Sequence, residues 1–331
     1  MLLLVDLPND DRLRWLLTRS AWLLERGTEP VRGLIEPTAR FFPERPDGSG
    51  EAMRALFART VEHAGLGDVD IDVSIHVPDQ DPLGAGGCSS GACGPKEEKS
   101  DKGPPLLGKT AGGYAVALPG ALAGAPPLLG AHLTRAVAAM FLHEADAIGG
   151  LDRREVDGAV DLAATWLGFG VILANGAHVV SKGCGGIRVS RGTTLPVEEI
   201  GVALAMFVQT FETPPETARR HLEPTQREAF DEGAAWVRAN ASNVRMLKGS
   251  PRAIEEGAFR LKPARGWIAR TFGFGAKRPP TDALEADDDE LARELARVGA
   301  ARAALPRPVD PARAARLARA RAAVDDVLAE E

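Results

Sequence analysis

From Leu162 to Val180 the chain carries no Asp, Glu, Lys or Arg. A helix that is apolar on every side has no solvent face, so it must be covered by other elements or by lipid. The run is about as long as a membrane span requires. It also holds Thr165, Asn175, His178 and three glycines, with Asp161 at its edge. These residues favour a helix buried in a soluble core, and no membrane association is expected. A second apolar stretch, Ala136 to Leu142, lies just upstream. The pattern predicts two core helices, about 129–148 and 154–176, joined by a turn at Gly149 and Gly150.

The remaining elements are read around this pair. Residues 9–26 have apolar side chains at helical spacing, acids at the start and Gly27 after the end, which is a capped amphipathic helix. A second helix is expected over 50–64, closed by Gly65. In 69–77, Val69, Ile71, Val73, Ile75 and Val77 alternate with polar residues, as a half-buried strand requires. Residues 112–118 form another short strand, and further helices are expected at 197–212 and 224–247. Segment 177–196 is extended and glycine-rich. The fold class is therefore α+β, mostly helical, with a small sheet of short strands packed on a helical core. One domain spans 1–275 and includes a Cys/Gly-rich loop at 80–107. Residues 276–331, rich in Ala, Arg and Asp, form a helical or partly disordered tail.

A net charge of -6 supplies no basic field for phosphates, and 5% aromatic residues offer few stacking platforms, so no nucleic-acid partner is expected. The opening Leu2 to Val5 is too short for a signal-peptide core and lacks a basic flank. Three cysteines cannot close a disulfide framework and suit a reducing compartment. The expected location is cytoplasmic, with a protein partner or self-assembly as the interaction class.

Chemistry-bearing residues gather in two places. His143 and Glu144 close the first apolar helix, and Asp161 sits on the second. Ionisable groups beside apolar runs must be paired or bound to a ligand. The plain reading of these residues is a His143–Asp161 or Glu144–Arg pair at a helix junction. Cys88 and Cys93, in GGCSSGACGP, and Cys184, in KGCGG, are bracketed by glycines, and His178 lies six residues before Cys184. Three readings remain open for them: unrelated thiols, a Cys3His structural zinc site, or a Cys88–Cys93 redox pair. The string GPPLLGKT at 103–110 spells a phosphate-binding loop, but its context is wrong. Polar residues precede it where a strand should, and a strand pattern follows where a helix should. Gly168-Phe169-Gly170 lies in a helical pattern, where close packing explains the glycines.

The order of elements and the residues His143, Glu144, Asp161, Leu162, Leu167, Gly168, Gly170, Ala174 and Asn175 resemble bacterial minimal zinc-metallopeptidase-like (zincin) proteins. In that group an HExxH helix is followed by a D-L-x-x-x-x-L-G-x-G-x-x-x-A-N helix. The Phe41-Phe42-Pro43 entry and the helix around 200–211 are similar as well. The likeness extends over about 35–245. It implies a zinc held on the first helix, with Glu144 as the base. The motif departs where it matters, because the second histidine's position is Ala147, and only Asp146, at i+3, offers another ligand. The expectation is a non-catalytic, degenerate zincin-like scaffold that serves as a binding or structural protein, with zinc the candidate cofactor. The alternatives are a divergent metallohydrolase using His143, Asp146 or Asp161 with Glu144, and a thiol redox protein using Cys88 and Cys93.

Overall fold

A computed structural model describes residues 6–44, 47–76, 106–110, 113–183 and 186–262. The cysteines, most of loop 80–107 and the tail lie outside the described residues.

The first two helices are capped as their sequences require. In α1 (Asp10–Glu25) the Asn9 side chain accepts the Arg12 N–H at 2.9 Å, and Asp10 and Asp11 sit in the positive first turn. In α2 (Gly50–His63) the Ser49 hydroxyl accepts the Ala52 N–H at 3.0 Å. Three strands follow, β1 (Asp70–His76), β2 (Leu106–Lys109) and β3 (Gly113–Pro119), in the order β1-β3-β2. β3 runs parallel to β1 and antiparallel to β2. Ile71, Val73 and Ile75 face the core while Asp70, Asp72 and Ser74 are exposed, the alternation expected from the sequence. Of the phosphate-loop string, Leu106–Lys109 form β2 of this sheet, where such a loop would need a turn leading into a helix.

The interior is helical. α3 (Pro126–Glu144) starts with prolines in its first turn, where a missing N–H costs nothing. The long apolar run then forms α4 (Val156–Ala164), a π turn over Thr165–Phe169, and α5 (Gly170–Ala177). By length and composition Val156–Ala177 qualifies as a membrane-spanning helix, yet 83% of its apolar window is buried inside the fold.

A single helix over 154–176 does not form, because Gly168 takes φ = 100°. The segment between α1 and α2 crosses at this kink. The Ile35 N–H donates to the Gly168 carbonyl at 2.9 Å, and a Cβ on Gly168 would stand 2.2 Å from the Gly33 oxygen. Gly170 is equally confined, since an added Cβ would meet Leu204 at 2.7 Å. The two glycines are therefore there for packing and backbone geometry.

The glycine-rich stretch that follows is a hairpin, β4 (Val179–Gly183) and β5 (Gly186–Ser190). α6 (Val197–Thr210) is buried along nearly its whole length. It is crossed by α8 (Pro224–Ala239), after a short α7 (Pro215–Arg219). The helices α6 and α8 meet at two glycines, and a Cβ on Gly233 would lie 2.8 Å from the Gly201 oxygen. The predicted helix over 224–247 is divided at Asn240 into α8 and α9 (Ala241–Gly249), and α10 (Pro251–Glu255) follows. Asn240 joins both sides of the break to the chain beyond, donating to the Lys262 carbonyl and accepting its N–H.

Candidate functional site at the end of α3

α3 stops at Glu144, four residues before the expected end. The Ala147 N–H reaches back to the Leu142 carbonyl at 2.9 Å and the Asp146 N–H to that of His143 at 3.1 Å. Asp146 adopts φ = 51°. This is a Schellman termination with Asp146 in the left-handed position usually given to glycine, and Leu142 and Ala147 bury together behind it. Its consequence for the HEADA sequence is direct. Asp146 and Ala147 stand past the last helical turn, so neither presents a side chain at helical i+3 or i+4 spacing from His143. Ala147, at the position of a second histidine, is only 2% exposed.

His143 and Glu144 lie at the surface. The Tyr114 hydroxyl, from β3, donates to Glu144 Oε1 at 2.8 Å, and the Tyr114 ring is 6.1 Å from that of His143. Burial, and then Glu144 as acceptor, push the Tyr114 phenol up, away from ionisation. Burial and the Lys109 ammonium hold His143 below the usual imidazole range, with Glu144 pulling the other way. Glu144 thus has a tyrosine partner here, in place of the arginine considered from the sequence.

Asp161 is completely buried. Its Oδ1 lies 2.6 Å from Arg135 Nε, on α3. Its Oδ2 accepts the backbone N–H groups of Thr194 and Leu195, both at 2.7 Å. Arg135 is itself buried; it donates to the Thr194 hydroxyl at 3.0 Å and approaches Asp157 at 3.7 Å. Burial pushes the Asp161 carboxyl up, against the pull of the guanidinium and the two N–H donors. The sequence-based pairing of His143 with Asp161 is therefore corrected to Arg135 with Asp161. The reason is that Arg135 points inward from the buried stretch of α3, whereas His143 sits at its exposed end. A signal for this pair was present. Arg135 is the lone Lys, Arg, Asp or Glu of Pro126–His143 and Asp161 borders the other uncharged run, so two solitary opposite charges had each other as partners.

These residues do not fit a shared zinc. Asp161 has two backbone donors on one oxygen and the Arg135 guanidinium paired with the other, in a sealed interior, while His143, Glu144 and Asp146 face outward. Among the described residues no group of three His, Cys, Asp or Glu side chains is placed to hold a metal ion. His178 follows α5, and its carbonyl accepts from Gln226 Nε2 at 2.8 Å. Its expected co-ligands Cys88, Cys93 and Cys184 lie outside the described residues. Asn175, on α5, also serves architecture, donating to the His221 carbonyl at 2.8 Å and accepting the Glu223 N–H at 3.2 Å. Comparison with family models, with curated proteins and with solved structures finds no match.

Proposed function

We propose that this protein is a non-catalytic scaffold of zincin-like descent, acting as a binding or structural component. The observation that carries the reading is the state of Asp161. The carboxylate that would complete a metal site instead ties α3 and α4 to the 193–195 segment, through Arg135 and two backbone N–H groups. The early end of α3 supports the same reading, because it removes the helical face on which one metal is held by residues a turn apart. A structural zinc held by Cys88, Cys93, His178 and Cys184 belongs to this proposal as its candidate cofactor.

The test is hydrolysis of casein and of a mixed peptide library by the full-length protein with added zinc. No cleavage above background is expected, with identical traces for wild type and Glu144→Gln. Zinc-dependent cleavage that vanishes in Glu144→Gln overturns the proposal in favour of a metallohydrolase.

A further inference from the structure

Among the described residues, the exposed large hydrophobic side chains are Val180 and Val189, at 55% and 56% exposure, and neither joins the core. Single exposed valines are ordinary, but these two are not scattered. They stand directly opposite each other in the β4–β5 register, so they make one apolar spot on one face of the hairpin. Charge marks the same element. Over residues 162–197 the sequence has no Asp or Glu, and its cations, Lys182, Arg188 and Arg191, lie in the hairpin or directly after it. The Arg191 side chain is exposed and has no partner among the described residues. In a chain of net charge -6, the hairpin is a cationic element that carries an apolar spot.

We propose that the acidic run 282–290 of the same chain docks on the β4–β5 hairpin and covers Val180 and Val189. Two features of the run match the hairpin. It holds six acids, Asp282, Glu285, Asp287, Asp288, Asp289 and Glu290, with no Lys or Arg, and is the densest acidic stretch in the sequence. Leu284 within it and Leu291 just after it supply apolar partners for the two valines. Opposite charge selects the surface and excludes wrong partners, while burial of the apolar spot adds to the attraction. The hairpin of a second copy would instead bring like charges together. Reach does not limit the contact. From Lys262, the last described residue, to Asp282 is 20 residues, up to about 65 Å of extended chain. A domain of this size has a radius of gyration of only about 18 Å. The tether also keeps the run at a high local concentration, which favours it over a separate molecule. An external partner for this face must then displace the run.

The experiment is amide hydrogen exchange of β4 and β5 in the full-length protein at about 50 mM and about 500 mM NaCl. Exchange of both strands should rise about three- to tenfold at the higher salt, as a few surface ion pairs are screened. The variant Asp287→Asn/Asp288→Asn/Asp289→Asn should show that rise already at low salt and lose the salt response. Arg191→Glu should do the same and Arg191→Lys should behave as wild type, with α6 unchanged in every case. Wild-type exchange that ignores salt overturns the proposal, as does a triple variant that matches wild type. A response to the triple variant but not to Arg191→Glu places the run on another surface and also overturns it. Exchange should stay constant on about tenfold dilution of the protein, because a tethered contact does not depend on concentration. A rise on dilution assigns the site to a second copy and contradicts docking within one chain.

Discussion

Replacing Arg135 with Met keeps most of the aliphatic volume and removes the one cation paired with Asp161 among the described residues. In the native structure the Asp161 carboxylate, wholly shielded from water, has Arg135 on one oxygen and the Thr194 and Leu195 N–H groups on the other. Removing one member of a buried ion pair costs about 3–5 kcal/mol, because the remaining charge keeps its desolvation penalty. The two backbone donors remain, so the expected cost at neutral pH is about 3 kcal/mol, the lower end of that range. The loss should also depend on pH with a definite sign. Without the guanidinium, burial pushes the folded Asp161 pKa further above its unfolded value. The protonated form is then the better tolerated one in the fold, so the deficit is largest at neutral pH. It shrinks as pH falls through the folded pKa toward about 3.9. Urea denaturation followed by tryptophan fluorescence reads both effects, since Trp166 is fully buried with its indole N–H on Ser20. Arg135→Met/Asp161→Asn should be less destabilised than the sum of its single variants. A cost below about 1 kcal/mol for Arg135→Met at neutral pH, or a cost that grows on acidification, refutes the reasoning.

Gly168→Ala should destabilise the fold by about 3 kcal/mol or more, as the new Cβ meets the Gly33 oxygen at a backbone angle unfavourable to L residues; a melting temperature within a degree or so of wild type would refute the kink's packing origin. His132, on α3, is depressed to about 4 by burial and then by Arg135. The fold therefore favours its neutral form: the stability it contributes is complete above about 6.5, falls as pH drops below that value, and is lost by up to about 3 kcal/mol below the folded pKa. His132→Gln should flatten that part of the stability–pH curve, and an unchanged slope argues against the assignment.

Local rules read well wherever the elements satisfied themselves. The caps at Asn9 and Ser49 and the alternation in 70–76 are properties of short windows, and those elements end within a residue or so of where the pattern places them. The expected α+β, mostly helical fold is the one observed. The differences arise where a distant backbone or side chain decides. Nothing in the local sequence says that Gly33 approaches Gly168, so the kink between α4 and α5 reads as continuous helix. The end of α3 is hidden because Asp146 takes a left-handed conformation that glycine usually marks. β2 lies next to a polar, proline-containing stretch and gains its strand character by pairing with β3.

At the candidate site the sequence identified the right anomaly and the wrong partner. Buried Asp161 needed a counter-charge, and His143 drew attention because of the motif around it. The three-dimensional requirement was a cation on the inward side of α3, which only Arg135 supplies. The acceptor role toward Thr194 and Leu195 depends on a chain segment more than thirty residues away. Tyr114, the one tyrosine in the chain, was equally unmarked as the partner of Glu144.

The central claim is that the end of α3 and Asp161 serve architecture and do not hold zinc. It is tested most directly by measuring zinc per chain in full-length protein purified without chelators and then equilibrated with zinc, for wild type, His143→Ala and Cys184→Ser. The account predicts that His143→Ala carries the same zinc content as wild type, whether that content is zero or one, and that any bound zinc is lost in Cys184→Ser. Zinc present in wild type and in Cys184→Ser but lost in His143→Ala would contradict the account and place a metal at the helix end.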